Sequence, residues 1–210
     1  NTEFVEGFYA AGECSCVSVH GANRLGANSV LEALLFGRYV GKTMVEDVDK
    51  IELKTATQAD AQRMLEEVEW VLTNNGQESV PRLRDELQQS MTDNSGVFRT
   101  KETLTKQMEI LKDLRERYKN IRIEDKSNIF NTDLQEALEL GHMLDFSLFI
   151  TKSALSREES RGAHYREDFP QRDDKKFLHH TMAYMDEEGN ITLDKMDVVL
   201  GKHELKARNY

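Results

Sequence analysis

The chain has 210 residues with 28 basic and 38 acidic side chains, which gives a formal net charge of −10 at pH 7. This charge leaves no basic surface for a phosphate backbone, so nucleic acid is not an expected partner. No run approaches the ~18 apolar residues of a membrane-spanning helix, and the first residues lack a signal-peptide pattern. The two cysteines, Cys14 and Cys16, are too few for a disulfide framework or a zinc site, so we expect reduced thiols and no metal.

Residues 1–45 differ from the rest because clustered glycines interrupt them. The apolar residues 8–11, followed by Gly12, predict a short buried strand that runs into a turn. Ser29 and Glu32 fit a capping box, in which both side chains satisfy free backbone N–H groups, so a helix is expected to start there. Residues 30–40 are apolar almost all round, which is typical of a helix buried inside a larger body.

The middle of the chain carries the pattern of long amphipathic helices. Apolar residues at three- and four-residue spacing predict helices over residues 57–73, 79–94, 100–119 and 131–156. Their apolar stripes predict an antiparallel helical bundle. Near the end, residues 181–184 and 191–195 flank a turn-rich stretch and predict a β-hairpin. The expected fold class is therefore α+β and mostly helical, with a strand-helix element, a helical bundle and a small C-terminal hairpin.

The densest group of polar residues lies just before the apolar helix. His20 and Arg24 stand there between glycines. The planar guanidinium of an arginine binds a carboxylate through two parallel hydrogen bonds, and glycines let the backbone approach a ligand closely. A helix N-terminus adds free N–H groups and a positive dipole end. The pattern indicates a site for an anion or an electron-rich ring oxygen, and a glycine-rich turn with a surface arginine is the alternative.

Two long motifs carry a resemblance to a known family. Residues 7–14 read GFYAAGEC and residues 17–29 read VSVHGANRLGANS; residues 157–170 read REESRGAHYREDFP, and RDD follows at 172–174. These motifs closely resemble the flavoprotein subunit of succinate dehydrogenase and fumarate reductase over essentially the whole chain. L-Aspartate oxidase shares the GANRL run and an RGxH motif, but there RDD does not usually follow. That difference favours succinate or fumarate chemistry.

The resemblance also implies a division of the chain. Residues 1–50 correspond to the last element of the FAD-binding domain, residues 51–156 to the helical bundle, and residues 157–210 to the C-terminal signature segment and hairpin. Family members open with a G-x-G-x-x-G turn for the FAD diphosphate and a histidine that binds the flavin covalently, and they carry a proton-donating arginine in a capping domain. None of these has a counterpart here. We therefore expect no catalytic residue in this chain, and neither FAD binding nor activity from it alone.

The resemblance assigns roles to three side chains before the apolar helix. Glu13 resembles the acid that binds the FAD ribose, because a carboxylate accepts hydrogen bonds from hydroxyl groups. Arg24 resembles the arginine that binds a substrate carboxylate and polarises the dicarboxylate against the flavin. His20 is a further substrate-binding candidate, for which a packed, hydrogen-bonded histidine is the alternative.

The start of the apolar helix resembles a cofactor-binding position. Asn28, Ser29 and Val30 are its residues, and the backbone of Ser29 and Val30 is expected to meet the pyrimidine edge of the flavin. A helix N-terminus there favours the reduced, anionic ring. The charges of residues 161–174 are expected to join the C-terminal segment to the flavin domain and to contact an iron-sulfur subunit, and a solvated charge run is the alternative.

Together these features imply part of an FAD-dependent succinate:quinone or quinol:fumarate oxidoreductase. Its expected partners are succinate or fumarate, an iron-sulfur subunit and membrane anchor subunits. Its expected location is peripheral, on the cytoplasmic side of the cell membrane. Two alternatives stay open: a flavoenzyme similar to L-aspartate oxidase, and a helical interaction module of this family without redox activity.

Overall fold

The computed structural model describes residues 5–52, 55, 57–186, 188–202 and 204–205. The described chain forms two compact units, Asn1–Arg63 and Met64–Tyr210, and the division falls within the second helix. The helices are α1 Gly26–Asp47, α2 Gln58–Thr73, α3 Val80–Ser95, α4 Lys101–Tyr118, α5 Thr132–Ser156 and α6 Asp174–Phe177. The strands are β1 Glu78–Ser79, β2 Ile121–Arg122, β3 His179–Met185 and β4 Ile191–Asp197. The three-part division expected from the sequence stays a prediction.

The second unit is built around α3, α4 and α5. Together with α2, these helices confirm the four predicted long helices to within one residue at each end. Asn94 near the end of α3 bonds Gln107 in α4, while Arg117 near the end of α4 bonds Glu86 in α3. The two helices therefore run antiparallel, and α5 packs against both of them.

The core of the second unit fills the space between these helices. Each fully buried aliphatic side chain contributes about 1.5–3 kcal/mol relative to exposure. The buried cluster consists of Val71, Val80, Leu83, Leu87, Leu111, Leu114, Ile121, Ile123, Ala137, Leu140, Leu144 and Leu148. A glycine in α5, Gly141, leaves room for the Tyr118 side chain, whose hydroxyl donates to the Ala137 carbonyl at 2.9 Å. Burial raises the pKa of Tyr118 to about 12.

Side-chain caps explain where two of the bundle helices begin. The Thr100 hydroxyl accepts a hydrogen bond from the Thr103 backbone N–H at 3.1 Å at the start of α4. The side-chain Oδ1 of Asn131 accepts from the Leu134 N–H at 2.7 Å at the start of α5. Such caps satisfy backbone donors that the helix leaves free, and each contributes about 1 kcal/mol.

The predicted C-terminal hairpin is confirmed. Strands β3 and β4 pair antiparallel, from His179 opposite Asp197 to Met185 opposite Ile191. The Asp186 carboxylate closes the connection by accepting from the Asn190 backbone N–H at 2.7 Å. A second, two-residue contact pairs β1 with β2 in parallel.

The first unit departs from the sequence-based prediction in two places. Residues 8–11 form no strand, because a strand requires a hydrogen-bonded neighbour and no described segment of this unit lies beside them as one. Helix α1 begins at Gly26 rather than at Ser29, so the predicted capping box is wrong. The Ser29 hydroxyl donates to the Gly26 carbonyl at 2.7 Å, and the Ser29 N–H donates to the Leu25 carbonyl at 3.0 Å. Both donors are therefore used inside the first turn.

Helix α1 also differs from expectation in its burial. The apolar composition predicted a buried helix, yet Leu34 is 70% exposed and its neighbours Val30, Leu31 and Leu35 are exposed as well. The buried residue of α1 is instead the acidic Glu32. Apolar surface of this kind marks a contact with something outside the unit. The helices in the described part of the chain include none with both the length and the apolar composition of a membrane span.

Candidate functional site

The candidate site lies in the first unit, where residues 12–25 lead into α1. Gly12 and Gly21 have φ values of +88° and +63°, a conformation that glycine adopts at no steric cost. A Cβ built on Gly12 would lie 3.5 Å from Ala33 Cβ, so the segment packs close to α1 at this point. The glycines noted in the sequence therefore turn the chain against the helix that follows.

Arg24 and Glu13 are brought together by this path. Arg24 Nη2 donates to Glu13 Oε1 at 3.1 Å, and the two side chains are 39% and 81% exposed. Exposed ion pairs contribute little to stability because water and side-chain entropy compete with them. Both groups thus remain available to a ligand, and the guanidinium already holds a carboxylate in the structure.

The N-terminus of α1 follows immediately. Leu25 is its N-cap, with no side-chain cap and no acidic residue in the first turn. Because the Ser29 N–H is bonded to Leu25, the donors that the helix leaves free belong to Gly26, Ala27 and Asn28. Of the predicted cofactor-binding positions, Asn28 has a backbone N–H without a hydrogen-bond partner among the described residues, the Ser29 N–H is bonded to Leu25, and Val30 presents an exposed apolar side chain.

The imidazole of His20 is engaged by α1. His20 Nε2 lies 2.6 Å from Glu32 Oε2, and the two side chains are 15% and 4% exposed. In the described part of the chain no hydrogen bond joins His20 to Arg24, and Glu32 Oε1 is buried without a hydrogen-bond partner. The predicted substrate-binding role of His20 stays a prediction, whereas the structure shows the packed, hydrogen-bonded histidine that was its alternative.

Both cysteines are free thiols in the structure. Cys14 and Cys16 are exposed, and the Cys14 thiol donates to the Ala11 carbonyl at 3.4 Å. Within the described residues, no cluster of three or more histidine, cysteine, aspartate or glutamate side chains could hold a metal ion.

The second motif folds into a buried ionic network in the second unit. Glu159 is fully buried and accepts hydrogen bonds from Arg157 at 2.6 Å and from Arg161 at 2.8 and 3.0 Å. The Asp173 backbone N–H donates to the same carboxylate at 2.8 Å. Burial alone would raise the pKa of Glu159, but these donors outweigh it and hold the pKa below its ordinary value. Arg161 also bonds Asp174 at 2.7 Å.

A second buried centre lies next to this network. Arg166 is fully buried and forks onto both carboxylate oxygens of Asp168 at 2.8 Å. Arg166 Nη1 donates to backbone carbonyls at the end of α5, including that of Ala154 at 3.2 Å. The guanidinium lowers the pKa of Asp168 to about 2. Asp168 also accepts from the Lys101 N–H at 2.9 Å, which ties the segment to the start of α4.

His164 connects the two centres to the loop between α3 and α4. Its Nε2 lies 3.1 Å from the Arg157 carbonyl and its Nδ1 lies 3.2 Å from Arg99 Nη1. A carbonyl requires N–H at Nε2, so the neutral ring accepts from Arg99 at Nδ1. Burial, together with the charges of Arg99, Arg157 and Arg166, lowers the pKa of His164.

Sequence reasoning missed the roles of Glu32, Glu159 and Arg166. The charge alternation of the second motif was visible, but which charges are buried was not. For Glu32 a signal existed, since it is the one acidic residue at positions 26–45. A lone acid in an apolar helix calls for a buried partner, and His20 supplies it.

Comparisons with known proteins agree on both motifs. Residues 84–210 match the family described as fumarate reductase flavoprotein C-term. Residues 1–30 match a family described as FAD binding domain.

Individual relatives cover nearly all of the chain. The succinate dehydrogenase flavoprotein subunit of Rickettsia bellii is 41% identical over 197 residues, covering 93% of this chain and 33% of the relative. The fumarate reductase flavoprotein subunit of a Serratia species is 42% identical over 210 residues, covering 98% of this chain and 35% of the relative. A quinol fumarate reductase structure from E. coli superposes with a TM-score of 0.88 at 38% identity, covering 93% of this chain and 34% of that one. The chain thus spans about a third of the length of these relatives.

Proposed function

Because this chain belongs to the family of fumarate reductase flavoprotein C-terminal regions, we propose that it forms part of a flavoprotein subunit that interconverts succinate and fumarate. The relatives named as succinate dehydrogenase and fumarate reductase subunits support this proposal. The match of residues 1–30 to an FAD binding domain supports FAD as the cofactor. When bound, FAD supplies the acceptor for a hydride from succinate. The residues of this chain bind and orient the substrate.

The observation that carries the proposal is the contact between Arg24 and a carboxylate. Arg24 Nη2 lies 3.1 Å from Glu13 Oε1 in an exposed pair next to the N-terminus of α1. A dicarboxylate substrate presents the same functional group, and the planar fork binds it through two parallel hydrogen bonds. Because the exposed Arg24–Glu13 pair is weak, a substrate carboxylate can replace Glu13 at little cost.

The start of α1 fits the chemistry of a flavin ring. The free N–H groups of Ala27 and Asn28 and the positive end of the helix dipole suit an electron-rich ring oxygen. The exposed apolar side chain of Val30 suits the ring itself. Once released from Arg24, the carboxylate of Glu13 accepts hydrogen bonds from ribose hydroxyls in this proposal. Four of the predicted positions thereby divide between cofactor and substrate.

We further propose the assembly in which this subunit works. Its partners are an iron-sulfur subunit and membrane anchor subunits, and the complex lies peripherally on the cytoplasmic side of the cell membrane. Structures that superpose on this chain come from quinol fumarate reductase and from the Sdh1 complex of Mycobacterium smegmatis, and they support this assembly.

The test is Arg24→Lys in the full-length subunit. Lysine keeps the positive charge but loses the forked geometry, so kcat/KM for succinate should fall about tenfold to a hundredfold, since a charge-assisted pair contributes about 1.5–3 kcal/mol. Arg24→Ala should lower kcat/KM further, with flavin content near normal. Steady-state kinetics together with the visible flavin absorbance check both expectations.

Two controls make this test specific. Arg38, an exposed arginine further along α1, should tolerate lysine without loss of kcat/KM. Glu13→Ala should weaken flavin retention before it changes the KM for succinate. A subunit carrying Arg24→Ala that oxidises succinate at the wild-type rate with its flavin bound would contradict the proposal. If the wild-type subunit turns over aspartate instead of succinate, the protein is a different flavoenzyme.

A further inference from the structure

Residues 20–25 form a short loop whose two ends are both fastened to α1. At one end His20 Nε2 lies 2.6 Å from Glu32 Oε2, and Glu32 belongs to α1. At the other end Leu25 is the N-cap of the same helix. Arg24 lies one residue before that N-cap, inside a loop that the helix closes. Closing a loop in this way restricts its backbone far more than one attachment would.

The two side-chain contacts of this region differ in their exposure to solvent. His20 and Glu32 are nearly buried, so water and salt screen their contact little. Arg24 and Glu13 are exposed, and their pair is correspondingly weak. Among the described residues, Glu13 is the side chain that contacts the Arg24 guanidinium. The position of Arg24 is therefore set by its backbone rather than by surrounding side chains, and the backbone is held by the buried pair.

We infer that His20 and Glu32 are positioning residues that hold Arg24 in place for a substrate carboxylate. This inference rests on the proposed function, since it concerns the same dicarboxylate site. His20 acts through Glu32 and the loop rather than by touching substrate. The arrangement explains why a buried acid stands in an otherwise apolar stretch of helix, where an unpaired carboxylate would be strongly unfavourable.

The experiment is a double-mutant cycle in the full-length subunit within its complex. His20→Phe keeps a planar ring but removes the hydrogen bond to Glu32, and we expect the KM for succinate to rise about tenfold with flavin content unchanged. His20→Gln keeps an N–H donor and should recover part of that loss. In an Arg24→Ala background, His20→Phe should change kcat/KM less than about twofold, because the residue that it positions is gone.

Tyr9→Phe provides the matched control. The Tyr9 hydroxyl donates to Asp47 at 2.8 Å, so it also fastens the preceding segment to α1, but at the far end of the helix. This variant should keep the wild-type KM. A His20→Phe effect that is equally large with and without Arg24 would mean a general structural role and would overturn the inference.

The remaining outcomes are also decisive. If the His20→Phe subunit does not accumulate, Glu32→Gln, which keeps the shape of the side chain, replaces it in the same cycle, and additive losses again overturn the inference. If the wild-type complex is active but the His20 and Arg24 losses add, the positioning role is rejected and the proposed function stands. A wild-type complex that turns over neither succinate nor fumarate rejects the proposed function, and the inference falls with it.

Discussion

Each unit of the chain buries a carboxylate, and the two carboxylates differ in how many hydrogen bonds they accept. Glu159 in the second unit accepts four hydrogen bonds, from Arg157, Arg161 and the Asp173 backbone. Glu32 in the first unit is bonded by His20 on one oxygen, while the other has no partner among the described residues. The second unit thus satisfies its buried charge internally. In the first unit, Glu32 Oε1 has no donor among the described residues, which indicates that a group outside the unit supplies one.

The apolar surfaces show the same difference. In the second unit seven leucines of α3, α4 and α5 belong to one buried cluster. In the first unit the leucines and valines of α1 are largely exposed. A unit whose helix exposes its apolar side chains gains little stability from them, whereas a unit that buries them gains most of its stability there. We therefore expect stability to depend on the second unit and ligand chemistry on the first.

Glu159→Ala should give the largest change in stability. Removing this carboxylate leaves the arginines around it buried without their partner, and we expect the free energy of unfolding to fall by about 3–5 kcal/mol. Urea unfolding followed by circular dichroism measures the change. Glu124→Ala is the matched control, since Arg122 bonds Glu124 at 2.6 Å, the same distance as Arg157 to Glu159, but in an exposed pair. The control should change stability by less than about 0.5 kcal/mol, and equal losses would refute the contrast.

His164 should give a smaller change that depends on pH. Burial and the neighbouring arginines lower its pKa below the ordinary 6.5, so the unfolded chain binds a proton that the folded chain does not. Stability is then complete above pH 6.5 and falls as the pH drops below that value. Urea midpoints measured across this window should fall with decreasing pH in the wild type and change less in His164→Gln.

A control and a residual effect accompany this measurement. His142 is exposed, so His142→Gln should keep the wild-type pH dependence. Some dependence should persist in His164→Gln, because burial also lowers the pKa of His179. An unchanged pH profile in His164→Gln would show that the arginines do not disfavour its protonation.

Leu34→Ala should give the smallest change. This α1 side chain is 70% exposed, so its loss should alter the free energy of unfolding of the chain by less than about 0.5 kcal/mol. Leu87→Ala, which truncates a buried leucine of α3, should cost about 2–5 kcal/mol in the same unfolding experiment. If Leu34→Ala destabilised the chain as much as Leu87→Ala, the exposed face of α1 would be part of a folded core.

The helices of the second unit could be predicted from the sequence because their signals are local. Apolar spacing, the Thr100 and Asn131 caps and the turn around Asn190 all act within a few residues. The strand predicted for residues 8–11 is absent, and local sequence could not show this, since a strand depends on a partner distant in sequence. The start of α1 was misplaced because Ser29 bonds backward to Gly26 rather than forward to a free N–H.

The candidate site was predictable in its residue types but not in its pairings. Arginine between glycines pointed to an anion, and the structure does place a carboxylate on Arg24. That this carboxylate is Glu13, and that His20 bonds Glu32, depends on how the loop folds back onto α1. Burial of Glu159 and Arg166 depends on the packing of a whole segment, which charge alternation alone does not specify.

The ionic network of the second unit has a consequence for proteolysis. Trypsin cleaves after arginine and lysine, but it must first draw an extended side chain into its own pocket. Arg157, Arg161 and Arg166 lie in one short stretch, and each is held by carboxylates or carbonyls inside the fold. Until the second unit opens as a whole, a stretch rich in target residues for this protease should therefore resist digestion.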